Sequence, residues 1–222
     1  MESQVVEGKS LPYVLVKPPG FEPGAGWPLV ILAHGRGASM YDLAGLAPVI
    51  DDRGYVYAFP NGPYSFYGMG WAWVAGQPGV EPPPEGAPSI TELLDGFMTE
   101  VLQETGTEPG NIVLGGFSQG GGLTLRYGLP RPEVFKGLIV LSGAFRDSDH
   151  MTLPENRNQP IFVAHGTNDP VLEVDMGRRT RDYLQANNYP LTYNEYPMAH
   201  EIRQEVINDL VPWLHETLPP KQ

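Results

Sequence analysis

Ile112-Val113-Leu114-Gly115-Gly116-Phe117-Ser118-Gln119-Gly120-Gly121-Gly122-Leu123-Thr124-Leu125 is the stretch on which the reading of this chain turns. Its opening aliphatic run reads as a buried strand and leads directly into Gly116-x-Ser118-x-Gly120. The segment Leu123-Thr124-Leu125-Arg126-Tyr127 then reads as a helix. A serine at such a strand-to-helix turn is pushed clear of the sheet. The flanking glycines remove β-carbons that would clash there. The first turn of the following helix leaves N–H groups unpaired, aimed where an oxyanion would form if the serine attacked a carbonyl.

The same alternation of short apolar runs with longer helical segments extends outward in both directions. Residues 29–33, 138–141 and 161–164 are uninterrupted apolar runs, suited to strands covered on both faces. Residues 56–59 supply a further strand. Residues 191–196 mix polar and apolar side chains between Pro190 and Pro197 and are expected near the sheet edge. Val5-Val6 and residues 13–16 lie too close together for a helical crossover and are expected to pair as an antiparallel hairpin. Ser89-Ile90-Thr91-Glu92 has capping-box spacing, with Leu93, Leu94, Phe97 and Val101 on one helical face and Gly106 as a stop. A second stripe, Ile202, Val206, Leu210, Trp213 and Leu214, is expected to be kinked or divided at Pro212. Weaker helix candidates begin near Ser39, Gln119 and Val171. Residues 60–88 form one long irregular loop of glycine, proline and aromatic residues, and a loop of that length is usually functional. This pattern predicts an α/β fold, a mostly parallel twisted sheet flanked by helices, as one domain over residues 1–222.

Composition narrows the function. Fourteen basic against 26 acidic residues give a formal charge of −12, with no basic stripe, so nucleic acid is not expected as a partner. No apolar run approaches the ~20 residues of a bilayer span, and Met1 to Ser10 lacks the basic start and apolar core of a signal peptide. No stable membrane association is expected. The absence of cysteine rules out a thiol nucleophile and suits the cytoplasm. The histidines are scattered without paired helical spacing, so no metal is expected.

Serine alone is a weak nucleophile and needs a base with a group to orient it. Asp169 falls just after the strand at 161–164, and His200 follows the one ending at Tyr196. Residues just past the C-terminal ends of neighbouring parallel strands converge on one rim, so Ser118, Asp169 and His200 are candidates for nucleophile, acid and base. Asp147, Asp149 and Asp175 are alternative acids that follow no clear strand. His34 and His165, each before a glycine, suit packed structural positions, whereas His150 and His215 are expected to face solvent. A second oxyanion donor besides the Gln119 amide is expected from the Arg36 main chain, in the Ala33-His34-Gly35-Arg36-Gly37 loop. The Arg36 side chain could reach an acidic substrate group or extend into water.

At these residues the chain resembles the phospholipase/carboxylesterase family of α/β-hydrolases, whose members include carboxylesterases, lysophospholipases and acyl-protein thioesterases. AHGRG at 33–37, FPNGP at 59–63, GMGWAW at 68–73, GGFSQGG at 115–121, LSG at 141–143, HGTNDPVL at 165–172 and MAHEI at 198–202 fall in the family's order. The resemblance implies an α/β-hydrolase fold without a large cap domain. It further implies Ser118, His200 and Asp169 as the triad, with the Arg36 and Gln119 amides as the oxyanion hole. Phe66, Tyr67, Met69, Trp71, Trp73, Val171 and Leu172 are expected to line the acyl or alcohol pocket. The departures are Arg36-Gly37-Ala38-Ser39, where members often carry an apolar residue and then glycine-aspartate, and Ala199 in place of a common glycine. The implied activity is hydrolysis of small-molecule carboxylic esters through an acyl-serine, without a cofactor, by a monomer or homodimer. Thioester or lysophospholipid cleavage by the same triad is the alternative, and a non-catalytic ligand-binding protein on this scaffold is a distant one.

Overall fold

The computed structural model describes residues 1–145 and 151–222. In chain order the elements are β1 (Glu2–Val6), β2 (Tyr13–Lys17), β3 (Leu29–Ala33), α1 (Ala47–Ile50), β4 (Val56–Pro60), β5 (Tyr64–Phe66), β6 (Gly70–Ala72), α2 (Ile90–Thr105), β7 (Ile112–Phe117), α3 (Gln119–Gly128), β8 (Gly137–Leu141), β9 (Ile161–Gly166), α4 (Val174–Ala186), β10 (Leu191–Tyr196) and α5 (Gln204–Thr217). Eight strands form one sheet in the order β1-β2-β4-β3-β7-β8-β9-β10. The pairs β1/β2 and β2/β4 are antiparallel and the remaining pairs parallel.

Alternate side chains of each central strand enter opposite layers, as the period of two requires. Leu29, Ile31 and Ala33 pack with Leu94 and Phe97 of α2, Leu123 and Leu125 of α3 and Leu184 of α4. Val30 and Leu32 pack on the other face with Ala47 and Ile50 of α1 and with Val206, Ile207, Leu210 and Leu214 of α5. Both faces are therefore dry, which is why the central runs are continuously apolar rather than alternating. From β3 the chain winds one way to β4 and then returns to the other side of β3 as β7. Between β3 and β7 the winding direction reverses, and a crevice opens beyond the strand ends at such a point.

The expected strands are present, with β10 at the edge and the opening hairpin antiparallel. Helix α2 begins at its capping box, the Ser89 hydroxyl accepting from the Glu92 amide, and stops at Gly106 with φ 66°. Four expectations need correction. Helix α5 runs through Pro212 without the division that was one of the two outcomes expected there. Pro212 is on the exposed side, so its missing donor costs no buried hydrogen bond, while Val206, Ile207, Leu210 and Leu214 anchor the helix below. The candidate near Ser39 becomes a short 3₁₀ turn at Ala44–Leu46 leading into α1, and α4 starts at Val174 rather than Val171. Residues 60–88 are not wholly irregular, since β5 and β6 pair as a small antiparallel ribbon.

Candidate active site

Strand β7 ends at Phe117, and Ser118 takes φ 55° and ψ −115° before α3 begins. Few non-glycine residues sit in that region, and they persist only where their surroundings hold them. Here the Ser118 amide donates to the Leu141 carbonyl at 2.8 Å and the Ser118 carbonyl accepts from the Gly122 amide at 3.1 Å. The turn is tight enough to demand glycine. A β-carbon on Gly120 would stand 2.1 Å from the Ala33 carbonyl oxygen, and one on Gly116 would stand 2.4 Å from the Gly120 carbonyl carbon. Backbone on both sides leaves nothing that could yield.

Past β9 and β10 the two exit loops are stitched together. The Thr167 amide donates to the Tyr196 carbonyl at 2.8 Å and the Asn168 amide to the Met198 carbonyl at 3.1 Å. These bonds set Asp169 and His200 side by side. Asp169 Oδ2 accepts from His200 Nδ1 at 2.7 Å, and His200 Nε2 lies 2.8 Å from the Ser118 hydroxyl oxygen. With Nδ1–H committed to the carboxylate, Nε2 is left as the acceptor facing the serine. Asp169 Oδ1 accepts from the Val171 and Leu172 amides at 2.8 and 2.9 Å. Burial opposes ionisation of this carboxyl, but the His200 hydrogen bond and the two amides outweigh it and hold it below the ordinary carboxylate range. Its side chain is wholly shielded, whereas that of His200 keeps 16% exposure, so solvent reaches the imidazole but not the acid behind it. The Phe117 ring packs against the imidazole at 4.8 Å.

Two further histidines brace this geometry, as their positions before glycines led one to expect. His165 is buried, and its Nε2–H donates to the Leu172 carbonyl at 2.8 Å, fixing the loop that carries Asp169. His34 is buried too, and its Nε2 accepts from the Gly62 amide at 2.9 Å. Burial lowers the His34 pKa, which keeps the acceptor nitrogen unprotonated. His215 keeps 39% side-chain exposure, as expected of a solvent-facing position, while stacking on Tyr55 with Nε2 3.3 Å from Asp51 Oδ2. Of the alternative acids, Asp175 pairs with Arg178, while Asp147 and Asp149, like His150, lie outside the described residues.

A cavity of about 120 Å³ opens at Ser118, lined by Arg36, Gln119, Gly122, Arg126, Ala144, Val171, Leu172 and Met176. Val171 and Leu172 were expected there. Phe66, Tyr67, Met69, Trp71 and Trp73 were expected too and do not line it. Their segment serves as a brace instead. Trp73 is fully buried, its indole N–H donating to the His34 carbonyl at 2.8 Å and its amide donating to Gln119 Oε1 at 2.7 Å. Gln119 Nε2 in turn donates to Gln77 Oε1 at 3.2 Å. The Gly37 amide donates to the Trp71 carbonyl at 2.8 Å, and the Trp71 amide donates to the Ala38 carbonyl at 2.9 Å. Both backbone stretches expected to stabilise an oxyanion, at Arg36 and at Gln119, are thus tied to residues 71–77. Phe66 packs beside Gly37 and beneath the Arg36 guanidinium, and Tyr67, Met69 and Trp71 face outward. No local sequence pattern marks Arg126, Ala144 and Met176 as pocket residues. Among the described residues no group of three or more His, Asp or Glu side chains could hold a metal ion, and no helix is long and apolar enough to cross a membrane.

A sheet reversing at β3/β7, a strained serine on the β7–α3 turn and an acid and a histidine beyond β9 and β10 together define an α/β-hydrolase architecture. The phospholipase/carboxylesterase family pattern matches residues 24–218. An acyl-protein thioesterase 1 of Emericella nidulans is 30% identical over 216 residues, spanning 86% of this chain and 90% of that protein. The namesake from Kluyveromyces lactis is 33% identical over 141 residues, or 60% of this chain. The chain spans 50% to 61% of the length of that protein and of two further fungal relatives of the same name. In three dimensions the chain is similar to the Bacillus cereus carboxylesterase, with a TM-score of 0.77 at 22% identity over 93% of this chain and 94% of that one. This chain belongs to the phospholipase/carboxylesterase family.

Proposed function

We propose that the chain is a serine carboxylesterase that cleaves small-molecule carboxylic esters through an acyl-serine, without a cofactor. The observation that carries this reading is the continuous relay from the Ser118 hydroxyl to His200 Nε2 and from His200 Nδ1 to Asp169 Oδ2, at 2.8 and 2.7 Å. His200 Nε2 takes the hydroxyl proton as the Ser118 oxygen bonds to the ester carbon. The imidazolium that results is stabilised by the buried Asp169 carboxylate. Negative charge gathers on the former carbonyl oxygen, which the Arg36 and Gln119 amides receive. His200 then returns the proton to the departing alkoxide as the ester C–O bond breaks, leaving acyl-Ser118. In the second half a water gives its proton to His200 while its oxygen attacks the acyl carbon. Collapse releases the carboxylic acid and restores the hydroxyl.

The cavity volume of about 120 Å³ favours a short acyl group, being well under the roughly 300–1,000 Å³ of sites that enclose drug-sized ligands. Thioester cleavage is the second reading, favoured by relatives that carry the name acyl-protein thioesterase. Hydrolysis of p-nitrophenyl acetate, butyrate and palmitate and of butyryl-thiocholine, by wild type and Ser118→Ala, tests both. The expected result is a preference for the short oxygen esters and a loss of at least about four orders of magnitude in the variant. Unchanged turnover in Ser118→Ala overturns the mechanism, and faster cleavage of the thioester than of the matching oxygen ester moves the assignment to the second reading.

A further inference from the structure

The wall of the cavity at Ser118 is chemically lopsided for this molecule. The chain carries 26 acidic and 14 basic residues, yet among the described residues lining the cavity there are two arginines, Arg36 and Arg126, and no carboxylate. The apolar part of the lining is Val171, Leu172 and Met176 with Ala144. Arg36 is exposed and Arg126 half-buried, so an apolar acyl chain laid along this wall would cover part of their hydration without return.

Arg36 is the more informative of the two. Among the described residues its guanidinium has no carboxylate and no hydrogen-bond partner, and it lies over the Phe66 ring with the guanidinium carbon 5.5 Å from the ring centre. The backbone beneath it is anchored at Gly37 and Ala38 by the Trp71 hydrogen bonds, and Phe66 packs against Gly37. A cation on a fixed stretch of main chain, set over an aromatic face, has lost part of its freedom before any ligand arrives and keeps its donors unspent. Arg126 has interactions of its own within the fold, and its Nη1 lies 3.6 Å from where a β-carbon on Gly122 would stand. It stands in the same wall.

The geometry points to Arg36 as the group that selects substrates: a short ester bearing a carboxylate a few bonds from the scissile carbonyl, the half-ester of a dicarboxylic acid being the simplest case. Arg36 pairs with the carboxylate through its planar fork, a match that a guanidinium makes better than a point charge. Val171, Leu172 and Met176 cover the methylenes between the two ends. In a molecule of charge −12 the local arginine offsets the repulsion that an anionic substrate meets on approach. This assignment rests on the esterase reading above and names the substrate class of that same site.

The test compares monomethyl glutarate with methyl pentanoate, two esters of nearly equal length that differ in one terminal carboxylate, by pH-stat titration near pH 7.5. Wild type is expected to favour the half-ester by about tenfold or more in kcat/KM, and the ratio is expected to fall about 10–100-fold in Arg36→Met. The loss should appear mainly as a raised KM for the half-ester, because the carboxylate is held alike in ground and transition states. Arg36→Lys is expected to keep part of the preference, and in wild type the ratio should shrink as salt rises from about 0.02 to 0.5 M. Labelling of Ser118 by a fluorophosphonate in each variant verifies that the nucleophile is still presented. A wild-type ratio near one, a ratio insensitive to salt, or one that survives in Arg36→Met overturns the assignment. If Ser118→Ala abolishes hydrolysis of methyl pentanoate in those cases, the esterase reading stands and only the role of Arg36 falls. If Ser118→Ala hydrolyses it undiminished, the esterase reading falls first.

Discussion

Ser118 is held where few side chains rest, at φ 55°, and the reward is a hydroxyl standing clear of the sheet 2.8 Å from an imidazole nitrogen. Asp169 acts at one remove, by fixing which nitrogen of His200 carries the proton. Asp169→Asn removes the charge that stabilises the imidazolium while keeping the size, so kcat should fall by roughly 10⁴-fold with little change in KM, as read from single-ester kinetics. The same carboxyl couples stability to acidity. Because its native pKa is lowered, its contribution is complete above the ordinary value near ~4 and is lost as pH falls through the native value. The gap in Tm between wild type and Asp169→Asn should therefore narrow as pH is lowered past ~4, and a constant gap would refute the coupling. These residues were legible in the sequence because each follows an apolar run at a strand end, a local signal. The role of Arg36 was not, since an arginine in a glycine-rich loop reads alike whether it faces solvent or a cavity.

The β7–α3 turn and the β5–β6 ribbon are the two elements that shape the site, and both act through close backbone approach. Gly120 lies against the last residue of β3, where any β-carbon meets main chain at 2.1 Å. Gly120→Ala should cost more than about 4 kcal/mol in urea unfolding, or fail to give folded protein. Gly45 offers the contrast, in a 3₁₀ turn with open space around it and no positive φ. Gly45→Ala should be tolerated or add about 0.4–1 kcal/mol in the same measurement. The turn was legible because glycine spacing around a serine is itself a steric statement. The ribbon was not: its strands are three residues each, among glycines and prolines that mask a period of two, and nothing local tells a buried anchoring Trp73 from one facing a ligand.

At the scale of the whole molecule, a dry sheet with helices on both faces was readable because parallel strands covered twice must be continuously apolar. The order of the strands was not, because the return from β4 past β3 to β7 leaves no mark on any single segment. The chain has no cysteine, so its chemistry carries a global signature. Ester hydrolysis should be indifferent to dithiothreitol and to thiol-selective reagents, and abolished by a fluorophosphonate; activity that survives complete labelling of Ser118 would contradict a serine mechanism.

The strands that lead into Asp169 and His200, β9 and β10, pair with each other at one margin of the sheet and follow the serine turn in chain order. On a ribosome the serine turn, the oxyanion loop and the ribbon all emerge before residue 200 has been added. A nascent chain paused short of β10 therefore displays Ser118 with no His200 beside it, and the proposed relay cannot close until the loop after β10 has been made.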